Sequence, residues 1–265
     1  MINDMHYVLI VLVGCIAGIV TGLIGASGVM VVVPAFVMLG YTTSQSIGAS
    51  LFIDTIASLV VAWTYYQNKN LNLKQGFWIA IGAVVGAQIG SKISSFIPDV
   101  GLSNAFSVFL IITAVLFWVR GLRGGSFALP SGSDKKETRL LKILRSNIVF
   151  SALFLGTLVG IISGLLGAGG GVMILLILVF VMQYSMHEGI GTSTLIMAFT
   201  AASGALGHAL SADLPIKAAI WGAVGTLIGG RIAAKFANKI NEKMLSNIVS
   251  GVFVALAVIM FIVQR

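Results

Sequence analysis

The stretch that decides the fold is GLIGASGVM at residues 22–30, because the chain uses it again as GLLGAGGGVM at residues 164–173. Each copy interrupts an apolar run, and glycine permits backbone angles that other residues resist, so a helix breaks there at low cost. Matching residues in the two copies lie 142 positions apart, and one additional glycine in the second copy moves the offset to 143. The later matches pair Gly48 with Gly191, Ser50 with Ser193, Lys74 with Lys217, Trp78 with Trp221, Gly82 with Gly225, Gly86 with Gly229 and Lys92 with Lys235. A constant offset over so many positions indicates an internal duplication.

The composition places both copies in a lipid bilayer. The chain is 58% hydrophobic and 9% charged, whereas about a quarter of the residues of a soluble domain carry charge. The net charge of +8 does not indicate a nucleic-acid partner, because seven of the sixteen basic residues lie in one loop and no basic face is interleaved with aromatics. Such a loop is typical of membrane orientation. The single cysteine, Cys15, excludes an internal disulfide and a cysteine metal cluster, and packing is its expected role.

Apolar runs predict an all-α polytopic membrane protein made of two homologous halves. A helix of about 15 residues reaches about 22 Å, which is less than the roughly 30 Å hydrocarbon core. The two runs that follow the glycine stretches are this short, so we expect them to be tilted, capped by extended backbone, or re-entrant; whether they cross fully stays open. The runs are residues 7–24, 28–41, 46–66, 75–96 and 102–119, and again 147–166, 170–184, 189–209, 216–237 and 245–263.

The basic residues favour an inverted repeat. We divide the chain into a first repeat (1–120), a linker (121–146) and a second repeat (147–265). If the short segments cross, 13 Lys and Arg share one side and 3 the other, whereas four spans per half divide them 11 to 5. The first division fits the positive-inside rule better. Five crossings per half place the linker in the cytoplasm and both termini outside, and they turn the second half upside down.

Interrupted helices in matching positions of an inverted repeat indicate a secondary transporter, in which broken helices meet near the bilayer midplane. Free N–H groups at a helix start form an anion site without a buried lysine, and the segments beginning near Val29 and Val172 present such ends. By contrast, Gly82, Gly86, Gly225 and Gly229 have the small-xxx-small spacing of helix packing. The predicted substrate-binding residues are Gly25, Ala26, Ser27, Gly28, Ser50, Gly167, Ala168, Gly169, Gly170, Gly171, Thr192 and Ser193.

The second stretch, followed by Gly191-Thr192-Ser193, resembles the sulfite exporter TauE/SafE family of membrane permeases, and the first half repeats the pattern more loosely with Ile47-Gly48-Ala49-Ser50. The resemblance spans nearly the whole chain except the linker. It implies transport of a small sulfur-containing anion, such as sulfite or an organosulfonate, driven by an H⁺ or Na⁺ gradient in the cell membrane. Consistent with a gradient, the chain has no Walker-type phosphate-binding motif. Ala26 and Ser27 stand where family members often carry glycine, so the half-sites are not expected to be equivalent.

Three ionisable residues inside the spans have alternative interpretations. Asp54 either carries a coupling proton or pairs with neighbouring hydroxyls, and its repeat counterpart is Met197. His208 lies opposite Tyr65 in the repeat and either forms an interfacial hydrogen bond or relays protons. Arg231 corresponds to Gln88 and either snorkels to the cytoplasm or contacts the anion. We expect interfacial anchoring from the aromatic residues near span ends, namely Trp63, Tyr65, Tyr66, Trp78 and Trp221.

Two other classes compete with a transporter. An uncoupled anion channel would share the glycine site but would not need Asp54. A membrane enzyme needs a nucleophile and base or a metal cluster, and one cysteine with three scattered histidines offers none. We therefore predict no enzymatic activity and no cofactor. The exact anion, the direction of transport and the oligomeric state are beyond what the sequence specifies.

Overall fold

The computed structural model describes residues 4–98 and 147–251, apart from residues 167–169, 183, 212–213, 243, 246 and 250. The predicted span 102–119, the linker 121–146 and most of the predicted span 245–263 lie outside these residues. In the part that is described, all regular structure is helical. The helices are α1 (Asp4–Ile24), α2 (Val29–Met38), α3 (Thr43–Gln67), α4 (Leu73–Ser94), α5 (Ile148–Leu166), α6 (Gly171–Leu176, continued by a π-helical turn, Ile177–Val181), α7 (Met186–Ser211) and α8 (Ile216–Ala237).

Six of these helices are long and apolar enough to cross a bilayer, namely α1, α3, α4, α5, α7 and α8. Their bounds agree with the predicted apolar runs to within a few residues, so the prediction of a helical, multi-pass membrane protein is confirmed. Large apolar side chains on the outer faces are exposed rather than buried, among them Leu12, Phe77, Phe154, Leu206 and Ile232. In a bilayer these side chains contact lipid, which is why the hydrophobic residues outnumber the positions in the interior.

The short helices α2 and α6 begin at glycines that the duplication aligns. Gly28 is the N-cap of α2 and Gly170 is the N-cap of α6. The ten residues of α2 extend about 15 Å, which is half the thickness of a hydrocarbon core. Pro34 lies inside α2 and removes one backbone donor. The two helices therefore do not span by themselves, as their lengths predict.

Helix directions show how the chain passes through α2. A Cβ built on Gly222 of α8 would lie 2.5 Å from Ile53, and one built on Gly230 would lie 3.2 Å from Val61, so α3 and α8 run parallel. The contacts of Gly14 with Gly222 and of Gly22 with Gly230 show that α1 runs parallel to α8 as well. Because α1 and α3 point the same way, residues 25–42 return the chain to the end at which α1 began.

The counterpart helices α3 and α7 run antiparallel. Gly48 at the start of α3 lies against His208 at the end of α7, while Gly191 at the start of α7 lies against Tyr65 at the end of α3. An inverted repeat requires this relationship between equivalent elements. The inversion of the second half relative to the membrane stays a prediction, and these helix directions support it.

Two lines of glycine contacts, which we call glycine seams, join the halves. α1 packs along α8, and α4 packs along α5, which are equivalent pairings under the repeat. A Cβ on Gly225 would lie 2.1 Å from Val11 O, and one on Gly86 would lie 2.2 Å from Thr157 O. Gly82 and Gly229 face backbone carbonyls at 2.3 Å and 2.1 Å in the same way. The prediction that these four glycines serve close helix packing is confirmed.

Candidate functional site

Asp54 is the central ionisable residue of the described interior. It is the twelfth of the 25 residues of α3, and its side chain is 1% exposed. One carboxylate oxygen accepts from Gly28 N at 3.1 Å, and the other accepts from the Ser27 hydroxyl. Burying a carboxylate is costly unless it is hydrogen-bonded, and these two donors supply that compensation.

The same contacts cap the broken helix. Ser27 Oγ accepts from Val29 N at 3.1 Å while its hydroxyl donates to Asp54. Gly28, the N-cap, has no capping side chain of its own, so a carboxylate from α3 fulfils that function. A negative charge is favoured at a helix N-terminus. The start of α2, predicted as a site for a substrate anion, thus holds a carboxyl group of the protein itself.

The two glycine stretches meet each other beside this cap. A Cβ on Gly171 would lie 2.6 Å from Gly25 O and 3.2 Å from the Cα of Ala26. It would also lie 2.5 Å from the sulfur of Met197, the repeat counterpart of Asp54. Asp54 and Met197 therefore both lie against the start of a short helix, one polar and one apolar. Only glycine at 171 permits this approach, and the half-sites are unequal, as the depleted first stretch predicts.

Positive φ angles occur in both stretches. Gly25 has φ +63° and ends α1, with its N–H bonded to Thr21 O at 2.9 Å. Gly170 has φ +64° and precedes α6, where a Cβ would lie 2.6 Å from Val159. Larger residues are strained in this region. The predicted residues Gly167, Ala168 and Gly169 lie outside the described residues.

Buried hydroxyls without a hydrogen-bond partner surround the breaks. Ser50 and Ser58 lie one helical turn on either side of Asp54 in α3, both are 0% exposed, and neither hydroxyl has a hydrogen-bond partner in the part of the chain that the structure describes. Ser163, also 0% exposed and unpartnered, lies beside Gly170, whose Cβ would be 3.6 Å from the Cβ of Ser163. Unpartnered polar groups in an interior are rare, so their concentration near the breaks marks this region as a candidate binding site.

Comparison with known proteins identifies the chain. The family model described as sulfite exporter TauE/SafE matches residues 10–260. The chain belongs to the TauE/SafE family. No solved structure matches it. The match covers both copies of the glycine stretch and the short helices that follow them.

Curated relatives of this TauE/SafE chain carry transporter names. The chain is 29% identical over 201 residues to the probable membrane transporter protein YdhB of Bacillus subtilis, covering 76% of this chain and 78% of the relative. It is 24% identical over 220 residues to the probable membrane transporter protein YunE of the same organism, covering 78% and 80% respectively. Together with the six apolar helices, this establishes a multi-pass membrane transporter.

The predicted residues of α7 in the TauE/SafE chain have different environments. Thr192 Oγ1 accepts from Asn72 N at 3.0 Å and donates to Asn72 O at 3.1 Å, so it fastens the α3–α4 turn to α7. Ser193 donates to Ile190 O at 3.0 Å and lies 3.5 Å from Gly25 O. Ser193 therefore faces the meeting point of the stretches, whereas Thr192 is occupied by a structural contact.

Arg231 and Gln88 are not brought to the breaks. Arg231 is exposed on the outer side of α8. The Gln88 amide donates to Ser203 O at 2.6 Å and to the Ser203 hydroxyl at 3.0 Å, joining α4 to α7. This outward position favours the first interpretation of Arg231, in which its side chain extends along the helix to a membrane surface, over contact with the anion.

His208 and Tyr65 form equivalent hydrogen bonds. The His208 Nε2 lies 2.9 Å from Gly164 O, and the Tyr65 hydroxyl donates to Gly22 O at 3.3 Å. Gly22 and Gly164 are themselves repeat counterparts, and a carbonyl can only accept, so Nε2 carries a hydrogen. The prediction of Tyr65 as an interfacial anchor is wrong, because Tyr65 is 0% exposed, although Trp63 and Tyr66 are both 60% exposed. Both inner residues satisfy backbone where α1 and α5 end.

The sequence reasoning missed Ser58, Ser163 and the contact of Met197. Ser50, Asp54 and Ser58 recur every four residues, which places them on one face of a helix. That periodicity was a usable signal for a polar stripe. No comparable signal existed for Met197 or Ser163, because a methionine or a single serine in an apolar helix is ordinary.

Proposed function

We propose that this transporter moves a small sulfur-containing anion, such as sulfite or an organosulfonate, across the cell membrane by proton-coupled secondary transport. The family to which the chain belongs is described as sulfite exporter, which supports the class of substrate. The single observation that carries the coupling is Asp54, a buried carboxylate that caps the broken helix α2. Intramembrane acids of this kind are typical of proton pathways.

The proposed substrate region lies where the two glycine stretches meet. It comprises the start of α2 at Ser27 and Gly28, the start of α6 at Gly171, and the hydroxyls of Ser50 and Ser193. These groups come from both repeats, so relative movement of the halves would open the region to either side in turn. Backbone N–H groups and neutral hydroxyls suit an oxyanion without requiring a buried cation.

An uncoupled anion channel is the alternative. A channel needs no titratable group at its site, whereas Asp54 is held at the break by two donors from a different segment. A negatively charged side chain at an anion pathway opposes permeation. Asp54 therefore favours a transporter in which the carboxylate changes its protonation state during the cycle.

The decisive experiment is uptake into proteoliposomes. The purified full chain is tested with sulfite, sulfate, methanesulfonate and taurine, with and without a pH gradient, in sodium and in potassium buffers. We expect one of the sulfur anions to accumulate above its equilibrium level only when a proton gradient is imposed. Accumulation that requires sodium instead would contradict proton coupling, and transport of none of these anions by folded protein would contradict the substrate class.

A further inference from the structure

Resting on the transport function proposed above, we infer that the substrate anion and the Asp54 carboxylate compete for the same donors at the start of α2. The anion then binds only after Asp54 has taken up a proton. Asp54 is thus more than a proton carrier: its carboxylate occupies the substrate's position in the unloaded protein.

The donors suit either occupant. Gly28 N–H and the Ser27 hydroxyl both point to the carboxylate, one to each of its oxygens. An ionised carboxylate is an acceptor only, as are the oxygens of a sulfite or sulfonate. Two anions at one buried helix start would repel each other strongly, because the low dielectric of the interior screens them poorly. Protonation of Asp54 removes this repulsion and frees the donors.

A second observation points to a larger ligand. Ser50 and Ser58 lie on the same face of α3 as Asp54, both are 0% exposed, and both hydroxyls lack a hydrogen-bond partner among the residues described. The Asp54 carboxylate reaches only Ser27 and Gly28, so the flanking hydroxyls are unused when it is the occupant. A sulfur oxyanion has a third oxygen that a carboxylate lacks. Ser50 and Ser58 lie about 12 Å apart along α3, since each residue advances the helix by about 1.5 Å, so one of the two hydroxyls provides the donor for this third oxygen.

No cationic side chain among the described residues bonds to Asp54, so the proton on Asp54 is what balances the charge of the bound anion. The elements packed around the cap are α1, which contributes Ala17 against Gly28, α2 itself, and α8, which contributes Gly222 beside Ile53. α6 contributes Gly171 against Ala26, and α7 contributes Ser193 against Gly25. The titratable residue of α7 on this side is His208, which lies against Gly48, six residues before Asp54, and bonds to Gly164 O. Among the described residues, the interactions recorded for Asp54 are with Ser27 and Gly28 and include no Lys, Arg, His or second acid. A cation does not offset the substrate's charge here.

The proton balance of the cycle follows. A proton from the aqueous phase on one side forms the O–H bond of the Asp54 carboxylic acid, and the anion then binds the freed donors. After the anion leaves on the other side, the O–H bond breaks, the proton enters that aqueous phase, and the carboxylate returns to Ser27 and Gly28. One proton accompanies each anion, so movement of a monovalent sulfonate is electroneutral.

Binding of methanesulfonate to the purified full chain tests this competition, because a sulfonate keeps its single charge between about pH 5 and pH 8 while a coupled carboxyl titrates. We expect the wild-type Kd to rise about tenfold per pH unit on the alkaline side. In Asp54→Asn, the amide keeps the volume but not the charge, and the Kd should be independent of pH. In lightly buffered solution on this alkaline side, where free Asp54 is ionised, the wild-type protein should take up one proton for each anion bound.

The serines on this face of α3, Ser46, Ser50 and Ser58, offer a matched comparison. One of the variants Ser50→Ala and Ser58→Ala, the one on the side of Asp54 where the anion binds, should weaken methanesulfonate binding about tenfold, the effect of one lost hydrogen bond to a charged ligand. Unchanged affinity in both variants would contradict a role for these hydroxyls. Ser46→Ala is the control, because Ser46 lies on the same face of α3 but its hydroxyl already donates to Thr42 O at 2.8 Å. We expect its affinity to stay unchanged.

The outcomes separate the two proposals. Anion binding by the wild-type protein without proton uptake would overturn the competition while leaving the transport function intact, and this measurement does not depend on the folding of any variant. A steep pH dependence that persists in folded Asp54→Asn would overturn it as well. Failure of the folded wild-type protein to bind methanesulfonate or sulfite at any pH would count against the proposed function itself.

Discussion

At the scale of single residues, Tyr65 and His208 show that the two halves use different side chains for one purpose. Each lies near the end of its long helix and bonds to the carbonyl of the first glycine of a stretch, Gly22 or Gly164. These carbonyls belong to the last turns of α1 and α5, where backbone acceptors lose their helical partners. A tyrosine serves as well as a histidine, so the contact does not depend on proton exchange.

We therefore expect His208→Gln to keep proton coupling. The glutamine amide can donate to Gly164 O as Nε2–H does, so the ratio of protons to anions in proteoliposomes should equal that of the wild type. Tyr65→Phe leaves Gly22 O without its donor and should lower the free energy of unfolding by about 1 kcal/mol. Loss of gradient-driven accumulation in His208→Gln, with unchanged thermal stability, would instead make His208 part of the proton pathway.

At the scale of helices, the start of α7 is held by a carboxylate that comes from beyond α8. Glu242 accepts from Met186 N at 2.9 Å, from His187 N at 3.3 Å and from His187 Nδ1 at 2.8 Å. Burial raises the pKa of Glu242, but the hydrogen bonds from the His187 ring and from the two backbone N–H groups outweigh it, so the pKa lies below its ordinary value. This contact positions the helix that carries Ser193.

Because the pKa of Glu242 is lowered by folding, its stabilisation is present above the ordinary value of 4.5 and is lost as the pH falls below it. We expect Glu242→Gln to lower the thermal midpoint in detergent at neutral pH and to differ little from wild type in acid. Glu188→Gln is the control, because Glu188 lies in the same turn but its carboxylate accepts from the Ser185 hydroxyl at 3.3 Å, whereas the N–H groups of Met186 and His187 donate to Glu242. An equal loss in both variants would contradict a specific cap.

The glycine seams make a second prediction at this scale. A Cβ at Gly225 would lie 2.1 Å from Val11 O, so Gly225→Ala must separate α1 from α8, and overpacking of this kind costs about 1–3 kcal/mol. At Gly251 a Cβ would meet nothing within 4 Å, and Gly251→Ala should be neutral or slightly stabilising. Thermal unfolding in detergent measures both. Equal stability of the two variants would show that the α1–α8 seam tolerates separation.

Gly170→Ala is a less clean probe of the substrate site than the sequence suggests. The residue combines φ +64° with a would-be contact to Val159 at 2.6 Å. Both features oppose a side chain for structural reasons, so a loss of binding would not identify a ligand contact. Ser50 and Ser58 are better probes, because their hydroxyls have no hydrogen-bond partner among the described residues.

At the scale of the whole molecule, helix direction determines which ends share a side. Asn70 in the α3–α4 turn bonds to Asn238 at the end of α8 at 2.7 Å. Lys69, Lys235 and Lys239 therefore lie at one end of the bundle, while Lys92 at the end of α4 and Lys217 at the start of α8 lie at the other. This grouping is the one that five crossings per half require.

Cysteine labelling in intact cells tests the resulting topology. On a Cys15→Ala background, Cys at Lys69, Lys239 and Ser133 should be protected from an impermeant thiol reagent, because the more basic side faces the cytoplasm. Cys at Lys92 and at Arg265 should be labelled. If the Lys69→Cys variant is labelled and the Lys92→Cys variant is protected, the orientation is the reverse of the one predicted. If one of Lys69→Cys and Lys239→Cys is labelled and the other protected, the helix directions are contradicted.

The sequence by itself determined the class of the protein, the positions of its helices and the duplication, because these depend on local composition and on the residues that permit a break. It also determined the packing role of Gly82, Gly86, Gly225 and Gly229, since small-xxx-small spacing places them on one helix face. Asp54 stood out as an acid in an apolar span. Its partners did not, because they lie 26 and 27 positions earlier in the chain.

Only the tertiary structure decided what each polar group contacts. Thr192 bonds to the backbone of Asn72, and Ser58 has no hydrogen-bond partner among the described residues. Tyr65 is buried, and Arg231 lies on an outer face. Residues with the same local pattern differ in these respects because helix rotation and neighbours, rather than spacing along the chain, set their surroundings. The carboxylate that occupies the predicted anion site is likewise a consequence of how α3 packs against the start of α2.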